Sequence, residues 1–204
     1  MSASRPSDPS LDYYEQHAEE FVRDTLGVDM GELYKPFLAL VPPGGSILDA
    51  GCGSGRDALA FKRRGYTVAA FDASPAMARL AAEVVGQPVE VMRLQEVNFR
   101  AEFDGVWACA SLLHVSGSEL DDVLSRLGSA LRPGGVLYLS FKWGESEEVR
   151  GGRRFTSHTR ESLLRALSGH CRLAILDVWR TSDRRPGRQD EYWVNGLVRR
   201  RPSL

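Results

Sequence analysis

The sequence predicts a single α/β domain built on one mostly parallel, doubly wound, seven-stranded sheet with helices on both faces. Three observations support this prediction. A short apolar segment, residues 47–50, is followed at once by glycines and then by a helical pattern. Strand-like and helix-like segments alternate along the middle of the chain. The last two strand-like segments have no helix between them, which predicts an antiparallel β-hairpin at one sheet edge.

The 204 residues suffice for one hydrophobic core, and the predicted elements divide the chain into three parts. Residues 1–12 predict a mobile arm, because Ser, Pro and Asp dominate them. Residues 13–43 predict a helical lid, with apolar positions at helical spacing over 13–26 and 33–41. Residues 44–201 predict the sheet domain. Its expected strands are 46–50, 66–72, 89–94, 104–111, 136–143, 171–181 and 190–200, and its expected helices are 56–65, 74–86, 117–135 and 159–170.

Composition excludes several classes of protein. No run reaches the roughly 18 apolar residues of a membrane helix, and the first residues lack the pattern of a signal peptide, so we expect a cytoplasmic protein without a membrane partner. The three cysteines, Cys52, Cys109 and Cys171, are odd in number and widely spaced. They predict neither disulfides nor a metal site, and packing is their expected role.

Charge is distributed unevenly along the chain. From Arg150 onward there are thirteen arginines and five acidic residues, a net charge of +8, which leaves −9 for residues 1–149. Such an asymmetry is typical of proteins that attract an anionic substrate or a nucleic acid. It is also what a solvated, arginine-rich surface gives, and the sequence leaves both interpretations open.

The stretch ILDAGCGSGRD, residues 47–57, indicates a ligand site because glycines after a strand let a backbone approach a ligand closely. A phosphate-binding P-loop requires Lys and Ser or Thr after its last glycine, and Arg56 and Asp57 stand there. The dinucleotide fingerprint GxGxxG would place its third glycine at position 56. Both interpretations fail, and the array Asp49, Gly51, Gly53, Gly55 remains.

An acidic residue before the glycines would oppose a pyrophosphate but would attract an amino group. A second acidic residue, Asp72, ends the next predicted strand, 21 residues after Gly51. Parallel strands deliver their carboxyl ends to one crevice, where an acidic residue at this place binds ribose hydroxyls. The residues therefore predict a nucleoside cofactor with an amino-acid end.

At this point the chain resembles the class I (seven-stranded, Rossmann-like) S-adenosylmethionine-dependent methyltransferases over roughly residues 13–200. The resemblance rests on ILDAGCGSG, the strand ending at Asp72, FDGVWACASLLHV and LRPGGVLYLSF. Among the branches, the chain is most similar to small-molecule methyltransferases of the tellurite-resistance and quinone-biosynthesis types. It departs from the family at the third strand end, where RLQEVNF stands in place of an acidic residue that contacts the adenine amino group.

The resemblance implies an S-adenosylmethionine site, S-adenosylhomocysteine as product, and no metal. Asp49 would orient the methionine amino end, and Asp72 would bind the ribose. Arg56 would pair with the cofactor carboxylate or only begin a helix at its solvent face. The full implied set is Asp49, Gly51, Cys52, Gly53, Gly55, Arg56, Asp72, Ala73, Ser74, Met77, Leu94, Gln95, Glu96, Ala108 and Cys109.

Methyl transfer from a sulfonium is an in-line displacement, so alignment and water exclusion are the main demands on the protein. His114 is the candidate base, with packing of a neutral ring as its alternative. Tyr14 is a candidate lid or substrate residue, and Lys142 a candidate substrate residue at a strand end. Arginines in two linkers predict an anionic, small-molecule methyl acceptor if they face the crevice. They are Arg153, Arg154, Arg184, Arg185 and Arg188.

Two other functions stay open. The +8 segment, with Trp179, Tyr192 and Trp193 beside it, is compatible with an RNA methyltransferase. The chain leaves no room for a separate RNA-binding module, so nucleic acid is the less favoured partner. The second alternative is a cofactor-binding protein without transfer activity, because a fold does not guarantee a reaction. The sequence does not predict an oligomeric state.

Overall fold

The computed structural model describes residues 8–202 and shows the predicted α/β architecture. Its strands are β1 (Ser46–Ala50), β2 (Thr67–Asp72), β3 (Glu90–Val91), β4 (Phe103–Ala108), β5 (Leu131–Lys142), β6 (Glu147–Arg150), β7 (Arg153–Thr156), β8 (Leu173–Ser182) and β9 (Tyr192–Arg200). Seven of them form one sheet in the order β3-β2-β1-β4-β5-β9-β8. Strands β1 to β5 pair in parallel, whereas β9 is antiparallel to both β5 and β8. The predicted fold class and its antiparallel edge are confirmed.

The helices are α1 (Pro9–Thr25), α2 (Gly31–Leu38), α3 (Arg56–Arg63), α4 (Pro75–Val85), α5 (Leu120–Ala130) and α6 (Arg160–Ser168), with 3-10 turns at Leu94–Glu96 and Leu112–His114. Local signals explain their ends. The Ser74 hydroxyl accepts the Met77 N–H at 3.1 Å, Pro75 opens α4, and Gly86 ends it with φ +69°. The start and end of α4 therefore lie at the residues whose local signals predicted them.

Several details differ from the sequence prediction. The helix expected over residues 117–135 ends at Ala130, and residues 131–135 already belong to β5. Helix α1 begins at Pro9, with the Asp8 carboxylate accepting the Ser10 N–H at 3.1 Å, so the arm predicted over residues 1–12 is wrong for residues 9–12. Residues 1–7 of that arm lie outside the described residues. Strands β6 and β7 form a separate hairpin where only an arginine-rich linker was expected. The third strand is only two residues long.

The segment predicted as a helical lid divides into two parts. Helix α1 contacts α4 and β7 and lines a cavity. Helix α2 packs in the core, where Tyr34 and Phe37 contact Phe61 and Trp107 with ring centroids 5.0 to 5.8 Å apart. Buried aromatic groups of this kind dominate the packing energy of a core, so α2 is an integral part of the domain. No helix within residues 8–202 has the length and apolar character needed to cross a membrane.

Candidate active site

A cavity of about 840 Å³ opens at the carboxyl ends of the parallel strands. Asp49 of β1, Asp72 of β2, Cys109 after β4 and Lys142 of β5 all line it. Its volume lies in the range of small-molecule and cofactor sites, and its place is where open α/β sheets bind ligands. One side is formed by the glycine loop and β2, and the other by α1, the hairpin β6–β7 and the segment before β9.

The glycine loop is left-handed at its three glycines, with φ +77° at Gly51, +54° at Gly53 and +75° at Gly55. A Cβ on Gly51 would lie 2.6 Å from the Ser111 Cβ, which the packing forbids. A Cβ on Gly55 would lie 2.9 Å from Val85 of α4, so this glycine serves helix packing. Gly51 and Gly53 line the cavity, whereas Gly55 does not.

Asp49 is buried directly behind this loop and only 2% exposed. One carboxylate oxygen accepts the Ala58 N–H at the start of α3, and Oδ2 has no hydrogen-bond partner among residues 8–202. Ser111 Oγ, also on the cavity wall, lacks a partner in the same part of the chain. Burial, reinforced by nearby Asp57, raises the pKa of Asp49 well above its usual range. A cation placed at Oδ2 would relieve both unfavourable effects.

Arg56 begins α3, and its side chain lines the cavity with only 18% exposure. Nε and Nη2 donate to Asp57 Oδ1 and Oδ2 at 2.6 and 3.0 Å. The alternative of a solvent-facing helix start is therefore wrong, because the guanidinium is held at the cavity wall. Asp57 was missed by sequence reasoning, since an acidic residue in the first turn of a helix has an ordinary explanation in the helix dipole.

At the end of β2, both oxygens of Asp72 accept backbone N–H groups, from Gly53 at 2.9 Å and Ser74 at 3.0 Å. Burial raises the pKa of this carboxyl against the opposing effect of these bonds. The Ser74 hydroxyl donates to Glu15 Oε1 at 2.5 Å, and the same oxygen accepts the Ala76 N–H. Glu15 thus joins α1 to the start of α4 beside Asp72, a contact that the sequence did not indicate.

Most of the remaining residues implied for the cofactor also line the cavity. Cys52, Ala73, Met77, Leu94, Gln95 and Cys109 lie on its wall. Burial raises the pKa of the Cys109 thiol to about 12, so this side chain is neutral. Glu96 and Ala108 do not line the cavity: Glu96 is exposed and accepts the Arg93 N–H, and Ala108 is buried within β4. No cluster of three or more metal-binding side chains occurs within the described residues.

Tyr14 and His114 contact each other on the opposite side of the cavity. The Tyr14 hydroxyl lies 2.9 Å from His114 Nε2, and Nδ1 lies 2.7 Å from the Arg154 carbonyl oxygen. Because a carbonyl only accepts, Nδ1 carries the proton and Nε2 accepts from Tyr14. Burial lowers the pKa of His114 to about 4, so the ring is neutral near pH 7. The Tyr14 oxygen also accepts from the Arg153 side chain and keeps one lone pair, whereas His114 Nε2 is occupied by the Tyr14 proton.

The cationic side chains on this side differ in whether they have acidic partners. Lys142 pairs with Glu191 and, at 3.5 Å, with Asp183. Asp183 also accepts two hydrogen bonds from the Arg185 guanidinium, which hold its pKa below the usual range although burial raises it. Arg154 pairs with Glu147 and Arg188 with Glu191. Of the five linker arginines, four line the cavity; Arg154 does not.

Arg153 and Arg184 line the cavity and form no ion pair with another described residue. Arg153 Nε is buried without a hydrogen-bond partner. Its guanidinium carbon lies 4.3 Å from the Tyr13 ring centroid and 5.2 Å from that of Phe155, so two aromatic faces hold it. A buried cation with an unused donor at a cavity wall favours an anionic ligand.

The fold is Rossmann-like, and its cavity lies where such sheets bind ligands. Residues 47–135 match the family model described as a methyltransferase domain. A relative from Synechocystis sp., described as an uncharacterized methyltransferase, is 33% identical over 101 residues, which are 48% of this chain and 48% of the relative. The chain spans about half the length of the curated relatives it matches.

Solved structures confirm the fold. A Burkholderia thailandensis 1,6-didemethyltoxoflavin N1-methyltransferase, crystallised with its namesake compound and S-adenosylhomocysteine, aligns with a TM-score of 0.72 at 21% identity over 98% of this chain and 93% of that one. The cyclase SpnF aligns with a TM-score of 0.75 at 17% identity over 99% and 100%. At such identities the likeness concerns architecture, and the chemistry has to be argued from the site.

Proposed function

We propose that this protein transfers the methyl group of S-adenosylmethionine to a small anionic molecule. The observation that supports this most strongly is the buried Asp49, which lines the same cavity as Asp72 behind a glycine loop and whose Oδ2 has no hydrogen-bond partner among the described residues. An amino group at Asp49 and a ribose at Asp72 would be two parts of one nucleoside cofactor. The family-model match of residues 47–135 and the S-adenosylhomocysteine bound in the Burkholderia structural neighbour support the same assignment.

Each part of the cofactor would have its own residues. Asp49 would accept from the ammonium group, and Arg56 would donate to the carboxylate. Asp72 would accept from the ribose hydroxyls, because its two oxygens offer about four lone-pair sites and three backbone N–H groups, of Gly53, Ala73 and Ser74, use only part of them. Residues around the end of β2 and the turn after β3 would hold the adenine: Ala73, Ser74, Met77, Leu94 and Gln95.

The cofactor supplies an electrophilic methyl group on a sulfonium, and the chain has to align the acceptor and exclude water. Arg153 would hold the anionic group of the acceptor, since its Nε has no partner and two rings fix its plane. Tyr14 would face the accepting atom. If that atom loses a proton, the Tyr14 oxygen receives it while the Tyr14 proton moves to His114 Nε2.

The cofactor assignment is tested by titrating S-adenosylhomocysteine into purified protein and its Asp72→Ala variant. Loss of hydrogen bonds to a charged acceptor should weaken binding by about 10- to 150-fold. Asp104→Ala is a matched control, because Asp104 also accepts a backbone N–H, from Ser46 at 2.8 Å, but does not line the cavity. Equal affinity of the wild type and Asp72→Ala would refute the assignment.

The acceptor class is tested with deuterated-methyl S-adenosylmethionine and a metabolite extract of the native host, separated on an anion exchanger. Labelled product should arise from the retained, anionic fraction. Arg153→Gln should raise the KM for that fraction at least about tenfold, the value of one lost charged hydrogen bond. Arg150→Gln is the control, because Arg150 lines the same cavity but has Glu148 at 3.8 Å. Label in neutral compounds or in added RNA would overturn the proposal.

A further inference from the structure

The Asp57 carboxylate lines the cavity and accepts four side-chain hydrogen bonds. Its Oδ1 accepts from Arg56 Nε at 2.6 Å and from the Tyr34 hydroxyl at 2.5 Å. Its Oδ2 accepts from Arg56 Nη2 at 3.0 Å and from Trp107 Nε1 at 2.8 Å. Although burial raises its pKa, the Arg56 charge and these donors hold the pKa below the usual range. Asp57 is therefore an ionised group fixed from three directions.

This arrangement determines which edge of the Arg56 guanidinium is left for a ligand. The edge formed by Nε and Nη2 is occupied by Asp57, and one Nη1 proton points to the Thr25 carbonyl at 3.4 Å. A guanidinium has five N–H donors in a rigid plane, and the contacts with Asp57 and Thr25 use three of them. The edge formed by Nη1 and Nη2 therefore keeps two unused N–H donors. Two parallel N–H groups match the two oxygens of a carboxylate.

The partners that fix Asp57 come from elements far apart in sequence. Tyr34 belongs to α2, outside the family-matched segment 47–135, and Trp107 belongs to β4. Both are buried, and their rings contact each other at a centroid distance of 5.4 Å. Because core packing holds both donors, the plane of the Asp57 carboxylate, and with it that of Arg56, is set before any ligand binds.

We propose that Asp57, held by Tyr34 and Trp107, is a positioning residue that aims the free edge of Arg56 at the carboxylate of the cofactor's amino-acid end. This clasp, Tyr34–Asp57–Arg56, makes the pocket select nucleosides that carry the amino-acid end over truncated ones. The inference rests on the proposed cofactor. Asp49 alone attracts an ammonium group, and the clasp adds the requirement for the adjacent carboxylate.

The test compares two ligands by calorimetric titration: S-adenosylhomocysteine, and 5′-methylthioadenosine, which keeps the adenosine and sulfur but lacks the amino-acid end. Asp57→Asn should weaken S-adenosylhomocysteine binding by about 10- to 100-fold and leave 5′-methylthioadenosine within about twofold. Tyr34→Phe removes one neutral donor and should give a smaller loss of about three- to tenfold for the first ligand alone. Asp104→Asn is the control for substitution of a partly buried, hydrogen-bonded carboxylate away from the cavity.

A double-mutant cycle separates positioning from folding effects. Once Arg56→Gln has removed the guanidinium, adding Asp57→Asn should leave the ratio of the two affinities unchanged within about twofold. If Asp57→Asn and Tyr34→Phe weaken both ligands equally, Asp57 is merely structural and the inference fails. If Asp57→Asn does not fold, Tyr34→Phe tests the inference alone. An affinity ratio of S-adenosylhomocysteine to 5′-methylthioadenosine equal to that of the wild type would then refute the inference. A wild-type protein that binds neither ligand contradicts the proposed function instead.

Discussion

Replacing Asp49 with Asn should weaken cofactor binding and stabilise the empty protein at the same time. One oxygen of Asp49 accepts the Ala58 N–H, and Oδ2 is buried without a described partner. The variant loses one charge-assisted hydrogen bond to the ammonium group, about 1.5–3 kcal/mol, which is about 10- to 150-fold in the Kd of S-adenosylhomocysteine. Without ligand, a neutral amide avoids burying a charge, and a gain of about 1 kcal/mol raises Tm by roughly 2–4 °C.

The pH dependence gives the same prediction a second measurement. Burial raises the pKa of Asp49, so the carboxyl binds its proton more tightly in the folded than in the unfolded chain. Its contribution to stability is therefore present at low pH and is lost as pH rises through the raised pKa. The Tm difference between Asp49→Asn and wild type should widen with rising pH, while the wild-type affinity for S-adenosylhomocysteine increases. A variant with unchanged affinity, or with lower Tm at neutral pH, would refute the reasoning.

Three further predictions concern the glycine loop and the Tyr14–His114 contact. Gly51→Ala should abolish S-adenosylhomocysteine binding and destabilise the fold by about 3 kcal/mol or more, because its Cβ would meet Ser111 at 2.6 Å. Gly65→Ala shares the positive φ but meets nothing within 4 Å, so thermal unfolding should show a cost of only about 1–2 kcal/mol. His114 has a depressed pKa, so the wild type should lose roughly 3 kcal/mol between pH 6.5 and about 4 relative to His114→Gln, measured by denaturant unfolding. If the wild type and His114→Gln lost the same unfolding free energy on acidification, the burial of His114 would be contradicted. Tyr14→Phe should lower the rate of labelled methyl transfer by about 100-fold with cofactor affinity unchanged, and a wild-type rate would exclude the proton path.

The sheet was predictable because its strands carry local signals. β1 has five residues and β2 has six, both largely apolar, and they are followed by glycines and by a Ser-Pro helix start respectively. These local signals specify strand–helix units without knowledge of the rest of the chain. The hairpin β6–β7 lacked such a signal. All four residues of β6 are exposed, so its sequence does not show the alternation of buried apolar and exposed polar residues that predicts a strand. The start of α1 was missed although Asp8 and Pro9 form a regular cap.

The site was predictable to the extent that single residues carry its chemistry. Asp49, Gly51 and Asp72 converge on the cavity because parallel strands end at one edge of a sheet. Partnerships between side chains were not predictable. Sequence does not reveal that Lys142 is neutralised by Glu191, that His114 donates to the Arg154 carbonyl, or that Asp57 is held by Tyr34, 23 residues earlier. These contacts depend on tertiary packing and side-chain orientation, which local patterns do not fix.

The most direct test of the central claim is transfer of a labelled methyl group. Purified protein is incubated with deuterated-methyl S-adenosylmethionine and small-molecule or RNA fractions of the native host, and both S-adenosylhomocysteine and labelled products are measured by mass spectrometry. The proposed function predicts S-adenosylhomocysteine in equal amount to a labelled anionic small molecule, with a lower yield of both from Asp49→Asn at cofactor concentrations below its weakened Kd. Absence of S-adenosylhomocysteine above the protein-free background in every fraction would contradict it.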